Sequence, residues 1–142
     1  MKNILLFLLL MSFCNAFGQS RSFTFNFNPN KFIKENKLNE GAGKEIIFNL
    51  YDINGKETKY ITIDRTTEPL RKEQVYSFKG KSEDGTKLIT LTIASGSLTG
   101  AYMENGISYF IEPLEKKWKK KYKIYINSGK GFQIGQPNDA VK

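Results

Sequence analysis

The sequence predicts an all-β fold, an antiparallel meander forming a sandwich or partly closed barrel with little helix, and three observations carry that expectation. Apolar and polar residues alternate over short runs, the period of a half-buried strand. Three Asn-Gly or Asp-Gly pairs, at Asn54-Gly55, Asp84-Gly85 and Asn105-Gly106, stand between such runs as hairpin signals. The runs recur at regular spacing, about eight in all, with hardly any helical pattern between them.

The chain opens with MKNILLFLLLMSFCNAFG, in which Lys2 precedes an apolar run from Ile4 to Phe13 and then Ala16-x-Gly18. A basic start, a short apolar core and small residues at a cleavage site describe a secretory signal peptide over residues 1–18. The run is about half the roughly 20 apolar residues of a spanning helix, so no transmembrane segment is expected. Cys14 follows Phe13, where lipoprotein processing wants a small residue, so cleavage after Gly18 is the expected route to a secreted or periplasmic product. Residues 19–135 are then expected to form a single β domain with residues 136–142 as a frayed tail.

Each strand can be placed in turn. Ser22 to Asn28 alternates strictly, with Phe23, Phe25 and Phe27 on one face. Asn30 to Leu38 is polar, can hold a helical turn, and is bracketed as a connector by Asn28-Pro29-Asn30 and Gly41-Ala42-Gly43. Around Asn54-Gly55 a two-residue loop sets Phe48 opposite Ile61 and Ile46 opposite Ile63. Around Asp84-Gly85 the same counting sets Phe78 opposite Leu91 and Tyr76 opposite Ile93, with Thr90 and Thr92 turned away. Around Asn105-Gly106, Tyr102 faces Tyr109 and Gly100 faces Ile111, with Leu98 and Ile107 on the same side. All three pairs suit a type I′ turn, which needs positive φ at both central residues. Ala94-Ser95-Gly96-Ser97 is short enough for a further tight turn, so Val75 to Leu114 reads as a four-stranded meander. Tyr122, Ile124 and Ile126 alternate again, Ser128-Gly129 can turn the chain, and Phe132 to Ile134 can return.

Composition removes several chemistries. The chain has no histidine, so histidine general-base catalysis and the usual zinc sites are excluded. Its one cysteine, Cys14, leaves with the signal, and with it any disulfide or thiolate nucleophile. The formal net charge is +8, which favours attraction to anionic surfaces.

The motifs that resemble catalytic or ligand sites have simpler readings. Glu112 and Glu115 flank Pro113-Leu114, but paired carboxylates need a cleft and unequal surroundings to do acid-base work. Asp52-Ile53-Asn54-Gly55 and Ser82-Glu83-Asp84-Gly85 lack the spaced oxygens and closing glutamate of a calcium loop. Gly41-Ala42-Gly43-Lys44 lacks the spacing, the following hydroxyl and the helix of a phosphate loop. No catalytic, metal or cofactor site is expected. The candidate binding residues are Lys116, Lys117, Trp118, Lys119, Lys120, Lys121, Tyr122 and Lys123, six lysines interleaved with two aromatics. Such a strip suits an anionic glycan or a single-stranded nucleic acid, the cations meeting the backbone while rings stack. The same lysines also suit a solvated edge strand that deters edge-to-edge pairing, with Trp118 tucked into the core.

Taken together, Tyr76 to Gly80, the acidic turn Ser82 to Gly85, the alternating strand Leu88 to Ala94, Gly96 to Gly100, and Tyr109 to Leu114 with its Ile-Glu-Pro-Leu form an ordered pattern. This pattern is similar to the propeptide of reprolysin-type (adamalysin) zinc metalloproteases. The resemblance covers about the middle third of the chain. It departs from the family in having no zinc-binding His-Glu-x-x-His helix, no histidine, and no cysteine outside the signal to cap a catalytic zinc. What the resemblance implies is therefore a β scaffold and an affinity for a secreted metalloprotease domain, as inhibitor or folding aid acting in trans. The expected function is a secreted non-enzymatic β domain that binds a protein partner. The alternatives are a cell-envelope module that holds an anionic polymer on the Lys/Trp strip, and an inactive remnant of a protease precursor.

Overall fold

Neighbouring strands in sequence are neighbours in space throughout most of this chain, which is why local hairpin signals determine so much of it. The computed structural model describes residues 21–41, 43–115 and 120–126. Its strands are β1 (Ser22–Asn26), β2 (Glu45–Tyr51), β3 (Glu57–Asp64), β4 (Tyr76–Ser82), β5 (Lys87–Ala94), β6 (Ser97–Glu104), β7 (Ile107–Pro113) and β8 (Lys121–Ile126). Two short helices, α1 (Pro29–Glu35) and α2 (Glu68–Lys72), and a 3₁₀ turn (Leu38–Glu40) join them. All eight strands lie in one antiparallel sheet of order β1-β8-β7-β6-β5-β4-β3-β2, curled into a half-barrel. The expected all-β meander is thus present as a single coiled sheet, not two packed ones. Only β1 departs from the meander, pairing with β8 so that Phe25 lies opposite Tyr122.

The turns sort by where positive φ falls. Ser95 and Gly96 (φ 52° and 70°) and Asn105 and Gly106 (φ 51° and 77°) are both left-handed, as type I′ requires, and the register there is as expected: Tyr102 pairs Tyr109 and Gly100 pairs Ile111. At Asp84-Gly85 only the glycine is left-handed, yet Phe78 still pairs Leu91 and Tyr76 still pairs Ile93. At Asn54-Gly55 the register moves by one: Phe48 pairs Tyr60, and Ile47 pairs Ile61. Asp52 is the cause. Its carboxylate accepts the N–H groups of Asn54 (2.9 Å) and Lys56 (3.0 Å), while its own N–H donates to the Lys56 carbonyl (2.9 Å). That Asx geometry lengthens the loop to three residues. A one-residue slip exchanges faces. Tyr60, Thr62 and Asp64 therefore point inward and are buried, and Ile61 and Ile63 point outward.

The concave face carries the core, in which Phe48, Phe78, Leu91, Ile93 and Leu98 are fully buried. Each such side chain contributes about 1.5–3 kcal/mol by leaving water. Inward-facing Thr62 is satisfied by donating its hydroxyl to the Ile46 carbonyl at 2.8 Å. Two inner-face glycines permit the curl. A Cβ at Gly80 would lie 2.1 Å from the Ile61 carbonyl oxygen, and one at Gly100 would lie 2.3 Å from that of Thr90. Gly100 thus allows close approach of β5, a different neighbour from its β7 partner Ile111.

One end of the half-barrel is covered by the helices. The Asn28 side chain caps α1 by accepting the Lys31 N–H (3.2 Å), and Pro29 occupies the first turn. The helix turns Phe32 onto Phe48, with ring centroids 4.3 Å apart. Helix α2 has no counterpart in the sequence reading. It delivers Arg71 to Asp64 at 2.9 Å, both side chains buried, and the guanidinium also donates to the Leu38 carbonyl. Asp64 further accepts the Thr66 N–H at 2.9 Å. The Tyr76 hydroxyl donates to the Asn39 side chain, so α2, the 3₁₀ turn, β3 and β4 are tied together in one polar cluster.

Several sequence expectations lie outside the described residues: the signal peptide at 1–18, Lys116, Lys117, Trp118 and Lys119, the Ser128-Gly129 turn, the Phe132 to Ile134 return and the tail.

Candidate binding surface at the helical end

Helix α1 buries Pro29 and packs Phe32 and Ile33 on the core, so its remaining face carries Lys31, Lys34 and Glu35 outward. The Phe27 N–H donates to the Lys120 carbonyl at 2.9 Å, which pins the start of β8 beside the helix. The result is an open cleft of about 470 Å³ lined by Asn28, Asn30, Lys31, Lys34, Glu35 and Lys120. Glu35 is engaged by Lys31 at 3.6 Å. Lys34 and Lys120 have no carboxylate partner among the described residues, so the cleft carries excess positive charge.

The lysine strip divides by strand parity. Lys120 lines the cleft, and Lys121 is exposed opposite Asn26. Tyr122 is fully buried, its ring centroid 5.7 Å from that of Phe25 and its hydroxyl accepting the Leu98 N–H at 3.1 Å. It is a core residue and presents no ring to solvent. Lys123 points outward, pairs with Glu112 at 3.0 Å and sits 4.8 Å over the Tyr125 ring. Sequence reasoning missed Lys31 and Lys34. The signal for them was the Asn28-Pro29 cap, since a helix begun there places lysines three apart on one face.

The other candidates resolve into structure. Glu112 neutralises Lys123 and accepts the Tyr125 hydroxyl at 3.1 Å, on the outer sheet face. Burial, then the Glu112 charge, pushes the Tyr125 phenol up. Asp84 accepts from the hydroxyls of Ser82 (2.6 Å) and Thr86 (2.8 Å) and from the Thr86 N–H (3.0 Å). Those donors, Ser82 first, hold its carboxyl well below the usual range, as a turn brace rather than a ligand. The Gly43 N–H donates to the Asp64 carbonyl at 3.2 Å, leading into β2. Among the described residues no three His, Cys, Asp or Glu side chains group as a metal site would require.

The opposite end, where the long hairpins turn, is polar but self-paired. Lys87, almost fully buried, meets Glu104 at 3.0 Å, and Lys59 meets Glu83 at 2.7 Å. The depression between them, about 140 Å³, mixes both signs of charge. No helix among the described residues is long and apolar enough to cross a membrane. No family model, curated protein or solved structure matches the chain.

Proposed function

We propose that this chain is a secreted, non-enzymatic β domain that holds an anionic polymer of a cell envelope against the cleft of Lys31, Lys34 and Lys120. The observation that carries this reading is the convergence of α1 and β8, which brings cations distant in sequence to one open surface. Lys121 extends that surface along the outer side of β8. The apolar run Ile4 to Phe13 followed by Ala16-x-Gly18 supports export to the compartment where such polymers occur. Binding would be electrostatic, so its affinity falls as salt releases the counterion advantage.

The test is retention of the protein by heparin and by inorganic polyphosphate across about 50 to 200 mM salt, beside the triple variant Lys31→Gln/Lys34→Gln/Lys120→Gln. A steep salt slope that flattens in the variant is the expected result. Equal retention of both proteins, or retention that ignores salt, removes the cleft from consideration.

A second reading is favoured by a separate observation, an apolar row exposed on the outer sheet face at Ile47, Leu88 and Met103. On that reading the domain binds a protein, and the propeptide-like pattern of Tyr76 to Leu114 suggests a secreted metalloprotease domain as the partner. An inactive remnant of a protease precursor would share the surface without the activity. Titrating the purified chain into a secreted reprolysin-type catalytic domain tests this directly. Undiminished peptide hydrolysis and no complex on gel filtration would remove the metalloprotease.

A further inference from the structure

Resting on the protein-binding reading in its coarse form, and independent of the basic cleft, we infer that the convex face of β2 to β6 docks an acidic protein segment presenting apolar side chains. The register places Ile47, Ile61, Lys81, Leu88 and Met103 in one cross-strand row over five strands. Ile47 is 42% exposed, Leu88 60% and Met103 40%. The adjoining row runs Ile63, Lys79, Thr90, Ala101, Phe110. Between the rows lies a groove of about 320 Å³ whose lining includes Leu88, Met103, Thr90, Ala101 and Lys79.

The core does not require this face. It is complete on the concave side, and the outer side of an antiparallel sheet is expected to be polar. Single exposed apolar residues are ordinary, but here they fall in two cross-strand pairs, Ile47 with Ile61 and Leu88 with Met103, set on either side of Lys81, and such clustering marks an interaction site. The loop at Asp52 reinforces the row, because the register it sets turns Ile61 and Ile63 outward.

Charge identifies the occupant. Lys79 and Lys81 stand within the two rows and have no carboxylate partner among the described residues. The other outward lysine nearby, Lys59, is taken by Glu83 at 2.7 Å, and Glu45 lies two strands from Lys79 at the sheet edge. An apolar anchor flanked by carboxylates matches this pattern, the anchor entering the groove while Lys79 and Lys81 meet its charges. A second copy fits poorly, because each chain carries +8 and would set lysines against lysines. An anionic bilayer is entered by protruding apolar groups, and here the apolar surface surrounds a depression.

The experiment pans a phage-displayed random dodecapeptide library against the full chain. The selected peptides are synthesised for titration and for chemical-shift mapping on the unmodified protein. Peptides with Asp or Glu flanking Leu or Phe, mapping to Ile61, Leu88 and Met103, are expected. Leu88→Ser/Met103→Ser should weaken them at least about tenfold. Lys79→Glu/Lys81→Glu should do the same, and exchanging the acids of the peptide for lysine should restore binding to that variant. Lys31→Gln/Lys34→Gln/Lys120→Gln should leave peptide binding unchanged. An absence of enriched peptides, enrichment without acids, or mapping to the α1 cleft would overturn the inference. So would vesicles of phosphatidylcholine and phosphatidylglycerol, or a second copy of the chain, capturing this face in place of the peptides.

Discussion

Phe23 on β1 and Tyr51 on β2 lie with ring centroids 5.5 Å apart, although their strands are the two opposite edges of the sheet. Phe25 joins them, its centroid 5.9 Å from that of Tyr51. The sheet therefore curls until its edges meet through aromatic side chains where backbone pairing is absent. This seam gives β1 its place in the packing: it supplies rings that cover the open side of the core.

If the seam stabilises the fold, the two rings should be energetically coupled. A double-mutant cycle of Phe23→Leu and Tyr51→Leu, read by urea unfolding, should give a coupling of about 0.5–1.5 kcal/mol. Strict additivity would mean that the edges close without help from this contact.

The curl should depend on the inner-face glycines and not on glycine in general. Gly80→Ala sets a methyl group against the β3 backbone and should cost about 3 kcal/mol. Gly85→Ala meets only open space and should cost about 1 kcal/mol, from its φ of +75° alone. Thermal unfolding of the two variants separates the effects, and equal losses would show that the sheet can uncoil to admit a Cβ.

The buried Arg71 and Asp64 pair fastens α2 to the end of β3. Asp64→Asn removes the charge that compensates the guanidinium and a strong acceptor of the Thr66 N–H, so a loss of about 3 kcal/mol in urea unfolding is expected. Replacing both residues, Asp64→Leu with Arg71→Met, should recover much of that loss, because no unpaired charge remains. A double variant less stable than Asp64→Asn would show that the pair contributes more than compensation.

Two buried tyrosines should behave in opposite ways. The Tyr102 hydroxyl accepts the Ile53 N–H at 2.8 Å, so Tyr102→Phe leaves a buried donor unpaired and should cost about 1–2 kcal/mol. The Tyr60 hydroxyl is buried without a hydrogen-bond partner among the described residues, so Tyr60→Phe should be neutral or stabilising. Burial, first of all, pushes both phenols above their ordinary range. Their folded pKa values thus exceed the unfolded value of about 10. The stability they contribute is fully present below about pH 10 and is lost as pH rises through the folded values. Urea midpoints should fall steeply from about pH 10 upward, and less steeply in Tyr60→Phe; a variant with the parent's slope would remove Tyr60 from the transition.

Phe23, Phe25 and Phe27 announced a half-buried strand by alternation, and the pairs Asp84-Gly85 and Asn105-Gly106 announced the β4–β5 and β6–β7 hairpins with their registers. These are local matters of backbone preference and period, and the sequence alone determined them, together with the exclusion of histidine chemistry. It did not determine the register at Asn54-Gly55, because Asn-Gly suits two loop lengths and the Asp52 carboxylate selects between them only once the chain has folded back. Alternation put Tyr122 on one face with Ile124 and Ile126, but the lysine run around it also offered its ring as a binding platform, and only the pairing with Phe25 on β1 buries it. Nor could the sequence bring Lys31 and Lys34 to Lys120, or Leu88 and Met103 into one row with Ile47. Those groupings join residues far apart in sequence, and only the curl of the sheet, permitted at Gly80 and Gly100 and sealed at Phe23 and Tyr51, brings them to shared surfaces.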